Sequence, residues 1–159
     1  MRKTKETSCY KKCIALLVMC LIASATFAQK QLAINKIFEK YGKQKGSTMV
    51  VLSDDVIKTY RLDFYKSITL PYDKKRSEEI QQSLEVDKKQ AKKIKEVISN
   101  GIIYSGYYQL PTENKLKNRY ILFKISDNAT ATLIYMEGDI ESEEIVNLLF
   151  MKKKKEIKP

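Results

Sequence analysis

The chain has 159 residues, 30 of them Lys or Arg against 19 Asp or Glu, for a formal charge of +11, and it contains neither histidine nor tryptophan. Lack of histidine excludes nucleophilic catalysis by a Ser–His or Cys–His pair, and because the three cysteines are Cys9, Cys13 and Cys20, no thiolate is on hand further along to build a zinc, copper or haem site. The five glycines, Gly42, Gly46, Gly101, Gly106 and Gly138, fit neither nucleotide-binding fingerprint, so no cofactor is expected.

At the amino terminus Arg2, Lys3, Lys5, Lys11 and Lys12 face a single Glu6, and Ile14 to Ala23 then runs without a charge. That order predicts a secretory signal, because a run of ten residues falls short of the about 18 to 20 that a membrane-spanning helix needs. Residues 1–28 are read as the signal, with cleavage after Ala28, or after Ala25 as second choice; 29–151 as one domain; and 152–159 as a basic tail. Cys20 would be lipidated only if a small residue preceded it, and Met19 stands there, so the thiol is read as one more apolar side chain. Cleavage leaves a cysteine-free chain of net charge +7, which must be held by packing rather than by disulfides.

Within the domain, Ile34, Ile37, Phe38 and Tyr41 form one helical stripe over 31–41 that stops at Gly42. Met49-Val50-Val51-Leu52 within 48–53 predicts a buried strand. The alternation from Leu62 to Leu70 predicts a second strand ended by Pro71, with a helix over 55–65 as the competing reading. A polar loop over 71–77 and a short helix over 77–84 follow. Asp87 and Gln90 then resemble a capping box ahead of Ala91, Ile94, Val97 and Ile98, which predicts a helix stopped by Asn100-Gly101. Three runs, 102–109, 119–125 and 130–136, predict an antiparallel meander in which Ile121, Phe123 and Ile125 form the core face. Glu141 to Met151 predicts a closing helix. These elements add up to an α+β fold: two layers, a mainly antiparallel sheet of about four to five strands, helices on one face.

Four clusters bear on function. Tyr104, Tyr107 and Tyr108, around Gly106, are a possible ligand surface, since tyrosines on an open sheet stack on sugars or clamp peptides; strict alternation puts Tyr104 and Tyr108 on one side and Tyr107 on the other. Lys152, Lys153, Lys154 and Lys155 are a possible contact with anionic lipid or lipopolysaccharide, or a solvated helix end. Lys88, Lys92 and Lys95 line one side of the expected capped helix, flanked by Lys89 and Lys93, but Glu78, Glu79, Glu85, Asp87 and Glu96 cancel much of that field. Glu137, Asp139, Glu141, Glu143 and Glu144 crowd a turn where oxygens could meet calcium; counted from Glu137, the twelfth place is Leu148 rather than glutamate, and helix capping is the plainer reading. No catalytic or metal-binding residue is assigned. The expected role is an exported, non-enzymatic binding or interaction module whose partner is an envelope protein, a peptide or a glycan, with an anionic membrane surface as the first alternative and no nucleic acid. The second alternative is a hydrolase that uses two carboxylates.

The layout resembles the small exported domains of unknown function found in Gram-negative gut anaerobes. The resemblance rests on a signal ending in Ala-Gln, on Ile37-Phe38-Glu39-Lys40-Tyr41 before a glycine and Met49-Val50-Val51-Leu52-Ser53, on the later hairpin of Tyr120 to Ile125 and Ala131 to Met136, and on Glu137-Gly138-Asp139-Ile140 before the closing helix. It implies a place in the periplasm or on the cell surface and an α+β fold, and it brings no catalytic residues with it.

Overall fold

The computed structural model describes residues 32–53, 55–112 and 117–150, all within the compact unit Leu32–Pro159. The expected signal and the lysine tail lie outside the described residues. In chain order the elements are α1 (Asn35–Tyr41), β1 (Thr48–Ser53), α2 (Asp55–Lys58), β2 (Leu62–Pro71), α3 (Lys74–Asp87), a 3-10 turn (Lys88–Gln90), β3 (Lys92–Ser99), β4 (Ile102–Leu110), β5 (Asn118–Ser126), β6 (Thr130–Gly138) and α4 (Ser142–Phe150). The six strands make one sheet, ordered β1-β2-β6-β5-β4-β3, and every neighbouring pair is antiparallel. Between β2 and β3 the chain crosses the sheet to the opposite edge, and α3 lies on that crossing.

The α+β class and the antiparallel meander hold, while the strand count and the two-layer arrangement do not. Both faces of the sheet are packed. On one, α1 and α3 deliver Ile34, Ile37, Phe38, Tyr41, Ile80 and Leu84 onto Ile68, Leu70, Tyr108, Ile121, Phe123 and Leu133. On the other, Ile140 and Ile145 of the β6–α4 segment close over Tyr107, Tyr120, Leu122 and Met136. The reason is visible in β5, where Tyr120, Ile121, Leu122 and Phe123 are all buried. An unbroken apolar run in a central strand needs cover on both sides, because successive side chains point to opposite faces. Each such side chain contributes about 1.5 to 3 kcal/mol when fully buried.

The helix expected after Asp87 is instead the edge strand β3. Helix α3 begins earlier, where the carboxylate of Asp73 accepts the Arg76 N–H at 2.9 Å, and it absorbs residues 74–77 of the expected loop and the short helix over 77–84. The apolar spacing of Ile94, Val97 and Ile98 imitates a helical stripe, but it falls in an irregular strand: the register against β4 shifts between Lys93 and Lys95, where Ile94 is the extra residue and reverses the side-chain parity of β3, and again between Val97 and Ile98, where the extra residue belongs to β4. Asn100 and Gly101, at φ 51° and 75°, are the central pair of a two-residue hairpin between Ser99 and Ile102 rather than a helix stop. Asp87 does cap a helix, though not its own: its buried carboxylate accepts the N–H groups of Ala33 (2.8 Å) and Ile34 (2.9 Å), just ahead of α1. Burial raises its carboxyl against the opposing pull of those two donors.

Strand β1 sits where expected but is not buried. It forms one edge of the sheet, and Val50, Val51 and Leu52 are all exposed. The next segment resolves the competing readings by length: a single helical turn, Asp55–Lys58, and then the strand Leu62–Pro71.

Candidate functional site

Strand β4 separates the three tyrosines. Because Ser105 pairs with Val97 while Ile103 pairs with Ile98, Tyr104 is the extra residue of a bulge, so Ile103 packs into the same core as Tyr108 rather than opposite it. Tyr107 lies in the other core, with its ring 5.8 Å from that of Tyr120. Its hydroxyl donates to the Ser142 carbonyl at 3.3 Å, and that of Tyr120 to the Ile140 carbonyl at 2.8 Å; the pair thus pins the chain entering α4. Burial raises both phenols, that of Tyr120 to about 12. Tyr108 folds back over Gly106, where a Cβ would overlap its ring, and donates to Glu96 Oε1 at 2.6 Å. Tyr107 and Tyr108 are 2% and 1% exposed. Of the three, Tyr104 alone shows part of its ring to solvent, and its hydroxyl bonds Asp127 at 3.2 Å.

A cluster the sequence did not single out is more accessible. Between the end of α1 and the start of α3 lies an open cleft of about 360 Å³ lined by Lys40, Tyr41, Gln44, Asp73, Lys74, Lys75 and Arg76. Tyr41 forms its wall: the ring is buried, the Lys40 ammonium lies 5.3 Å and the Arg76 guanidinium 5.5 Å from its centroid. Glu79 ties the two helices together, accepting from Lys40 at 2.7 Å and from the Tyr41 hydroxyl at 2.9 Å. The hydrogen bond from Lys40 holds the Glu79 carboxyl below its ordinary value, and the same bond raises Lys40. Asp73 is the one carboxylate among the described lining residues, and it is taken up by the Arg76 backbone N–H and guanidinium. Arg76 Nε is buried and has no hydrogen-bond partner among the described residues. Lys74 and Lys75 are exposed and make no ion pair among the described residues. The described lining residues therefore carry a net of three positive charges, one of which, on Lys40, is held by Glu79 just outside the lining, and they lie where α3 presents the N–H groups of its first turn.

The remaining clusters are partly paired. Lys88 bridges Glu85 (2.6 Å) and Glu96 (3.2 Å), and Lys93 meets Glu96 at 3.0 Å, so the lysines expected along one helix face are divided between a turn and the edge strand. In the acidic turn Arg61 reaches Asp139 (3.4 Å) and Glu144 (2.7 Å). Among the described residues no three His, Cys, Asp or Glu side chains are grouped so as to hold a metal ion, and no helix is long and apolar enough to cross a membrane. Lys152, Lys153, Lys154 and Lys155 lie outside the described residues.

A family model described as a family of unknown function (DUF6108) matches residues 21–149, and the chain belongs to that family. This agrees with the resemblance to a domain of unknown function at that level. No curated protein matches the chain.

Proposed function

We propose that the domain is an exported, non-enzymatic binding module of the cell envelope, working in the periplasm or on the surface of a Gram-negative cell, and that its cationic cleft takes a ligand bearing phosphate or carboxylate groups. The export reading is supported by the charged start and the brief apolar run that follows it. The binding reading is carried by one observation: Lys40, Lys74, Lys75 and Arg76 gather around a buried tyrosine wall with one lining carboxylate against them, and two of those cations are exposed and unpaired among the described residues. Cations held over an aromatic ring beside a helix start suit an oxyanion, since the dipole, the N–H groups and the side-chain charges share one sign.

The same cations would serve a free phosphate compound or a lipid headgroup, and titration separates the two. Inorganic pyrophosphate, vesicles containing anionic phospholipid and vesicles of neutral phospholipid alone are each titrated into the purified protein at low salt. The expected result is saturable binding to pyrophosphate or to the anionic vesicles that weakens with added salt. In a Lys74→Glu/Lys75→Glu variant it falls by about tenfold or more, with the thermal midpoint unchanged. Equal binding by the variant and the parent would remove the proposal.

A further inference from the structure

The two edges of the sheet are not alike. Strand β3 carries Lys92, Lys93 and Lys95 and two register shifts, the devices that keep an edge from acquiring a foreign strand. Strand β1 carries neither. Its six residues, Thr48 to Ser53, contain no charge and no proline, its register against β2 is regular throughout, and both its faces reach solvent, with Val50 at 39% and Val51 at 49% exposure. Val56 and Tyr60 extend the exposed apolar surface at the same end, at 72% and 58%. Among the described residues no strand lies on the outer side of β1, where alternate N–H and C=O groups of Thr48 to Leu52 face outward.

The charges flanking β1 indicate what covers it. Lys43 and Lys45 precede the strand, a net of two positive charges, and Asp54, Asp55 and Lys58 follow it, a net of one negative; Lys43, Lys45 and Asp55 are exposed, and Asp55 holds the Lys58 ammonium at 2.6 Å. An antiparallel strand of the same sequence therefore meets β1 with its signs reversed end for end, basic against acidic at both ends.

From this we infer that β1 pairs antiparallel with β1 of a second copy of this chain, joining two six-stranded sheets into one. A two-fold axis normal to the sheet keeps each face continuous across the junction, so residues directly opposite one another must share a face. With Val50 on that axis, Val50 meets its own counterpart, Met49 meets Val51 of the second copy, Thr48 meets Leu52, and Lys45 comes to the end that holds Asp55. The pairing covers β1 without involving the cationic cleft, so it stands or falls apart from the ligand proposed above.

Sedimentation velocity of the purified protein over a wide range of concentration tests the inference. The expected result is a reversible monomer–dimer equilibrium. Val50→Lys should weaken it by more than about tenfold, since two half-exposed valines are lost and two like charges meet on the axis, while the far-ultraviolet spectrum and thermal midpoint stay those of the parent. Lys45→Asp and Asp55→Lys should each weaken the dimer and the double exchange should restore it, which no other occupant of β1 would produce. A protein that stays monomeric throughout overturns the inference, and so does a dimer indifferent to Val50→Lys. Should the monomer instead take up an added uncharged strand-forming peptide on β1, the occupant is a peptide and self-pairing is likewise overturned.

Discussion

Replacing Glu96 with glutamine probes the contact that secures the lysine-rich edge. Glu96 lies on β3 with its side chain 6% exposed. Burial by itself would raise its carboxyl, but hydrogen bonds from the Tyr108 hydroxyl and the Lys93 and Lys88 ammonium groups outweigh that and set it at about 2, against an ordinary 4.5. A difference of that size is worth about 3 kcal/mol in favour of the ionised form, a large share of the roughly 5 to 15 kcal/mol that holds a small domain together. The folded value lies below the unfolded one, so this stability is fully present above about 4.5 and is lost as pH falls through about 2. Urea denaturation followed by far-ultraviolet circular dichroism, repeated from neutral to acid pH, should show the glutamine variant weaker by about 2 to 3 kcal/mol at neutral pH. The gap should close steadily toward the acid end. A gap that stays constant with pH would refute the reasoning, because it would show packing rather than charge at work; so would a gap below about 0.5 kcal/mol at neutral pH, the scatter expected of ordinary surface changes.

Other substitutions test the remaining contacts. Asp87→Ala leaves the N–H groups of Ala33 and Ile34 without an acceptor, which should cost about 2 to 4 kcal/mol in a urea titration. Ala129 holds φ 54° in the three-residue turn between Ser126 and Thr130; Ala129→Gly should relieve about 1 kcal/mol of strain, partly offset by a looser unfolded chain, and raise the thermal midpoint. Gly106→Ala sets a methyl group against the Tyr108 ring, so it should displace the ring, lower stability by about 1 to 3 kcal/mol, and perturb the near-ultraviolet tyrosine signal, whereas Gly101→Ala in open space should leave that signal intact.

Elements with one dominant pattern were legible in the sequence. The stripe Ile34, Ile37, Phe38 and Tyr41 makes α1, and the β-branched runs make β1, β4, β5 and β6 at nearly their predicted bounds. Reading failed where one local signal serves two structures. Asn-Gly ends helices and also turns hairpins, and Ile94, Val97 and Ile98 fall at helical spacing in a strand whose alternation is broken by the extra residue Ile94. Asp87 looked like a cap, and is one, but its partners Ala33 and Ile34 lie over fifty residues away in sequence, beyond the reach of any local pattern. The cleft was missed for the same reason. Lys40 and the run Asp73 to Arg76 belong to different helices, and only the packing of Tyr41 against α3 brings them together; the one sequence signal was the basic run itself, which read as a loop.

The position of β6 carries a kinetic consequence. It is the last of the described strands to be made, yet it lies inside the sheet and is what joins the β1–β2 hairpin to the rest. Until residue 138 is free to pair, that hairpin has no neighbour and the meander lacks its inner border. Such long-range closure slows folding, and a chain threaded from its amino terminus, as the proposed export requires, would stay open until nearly all of it had passed through.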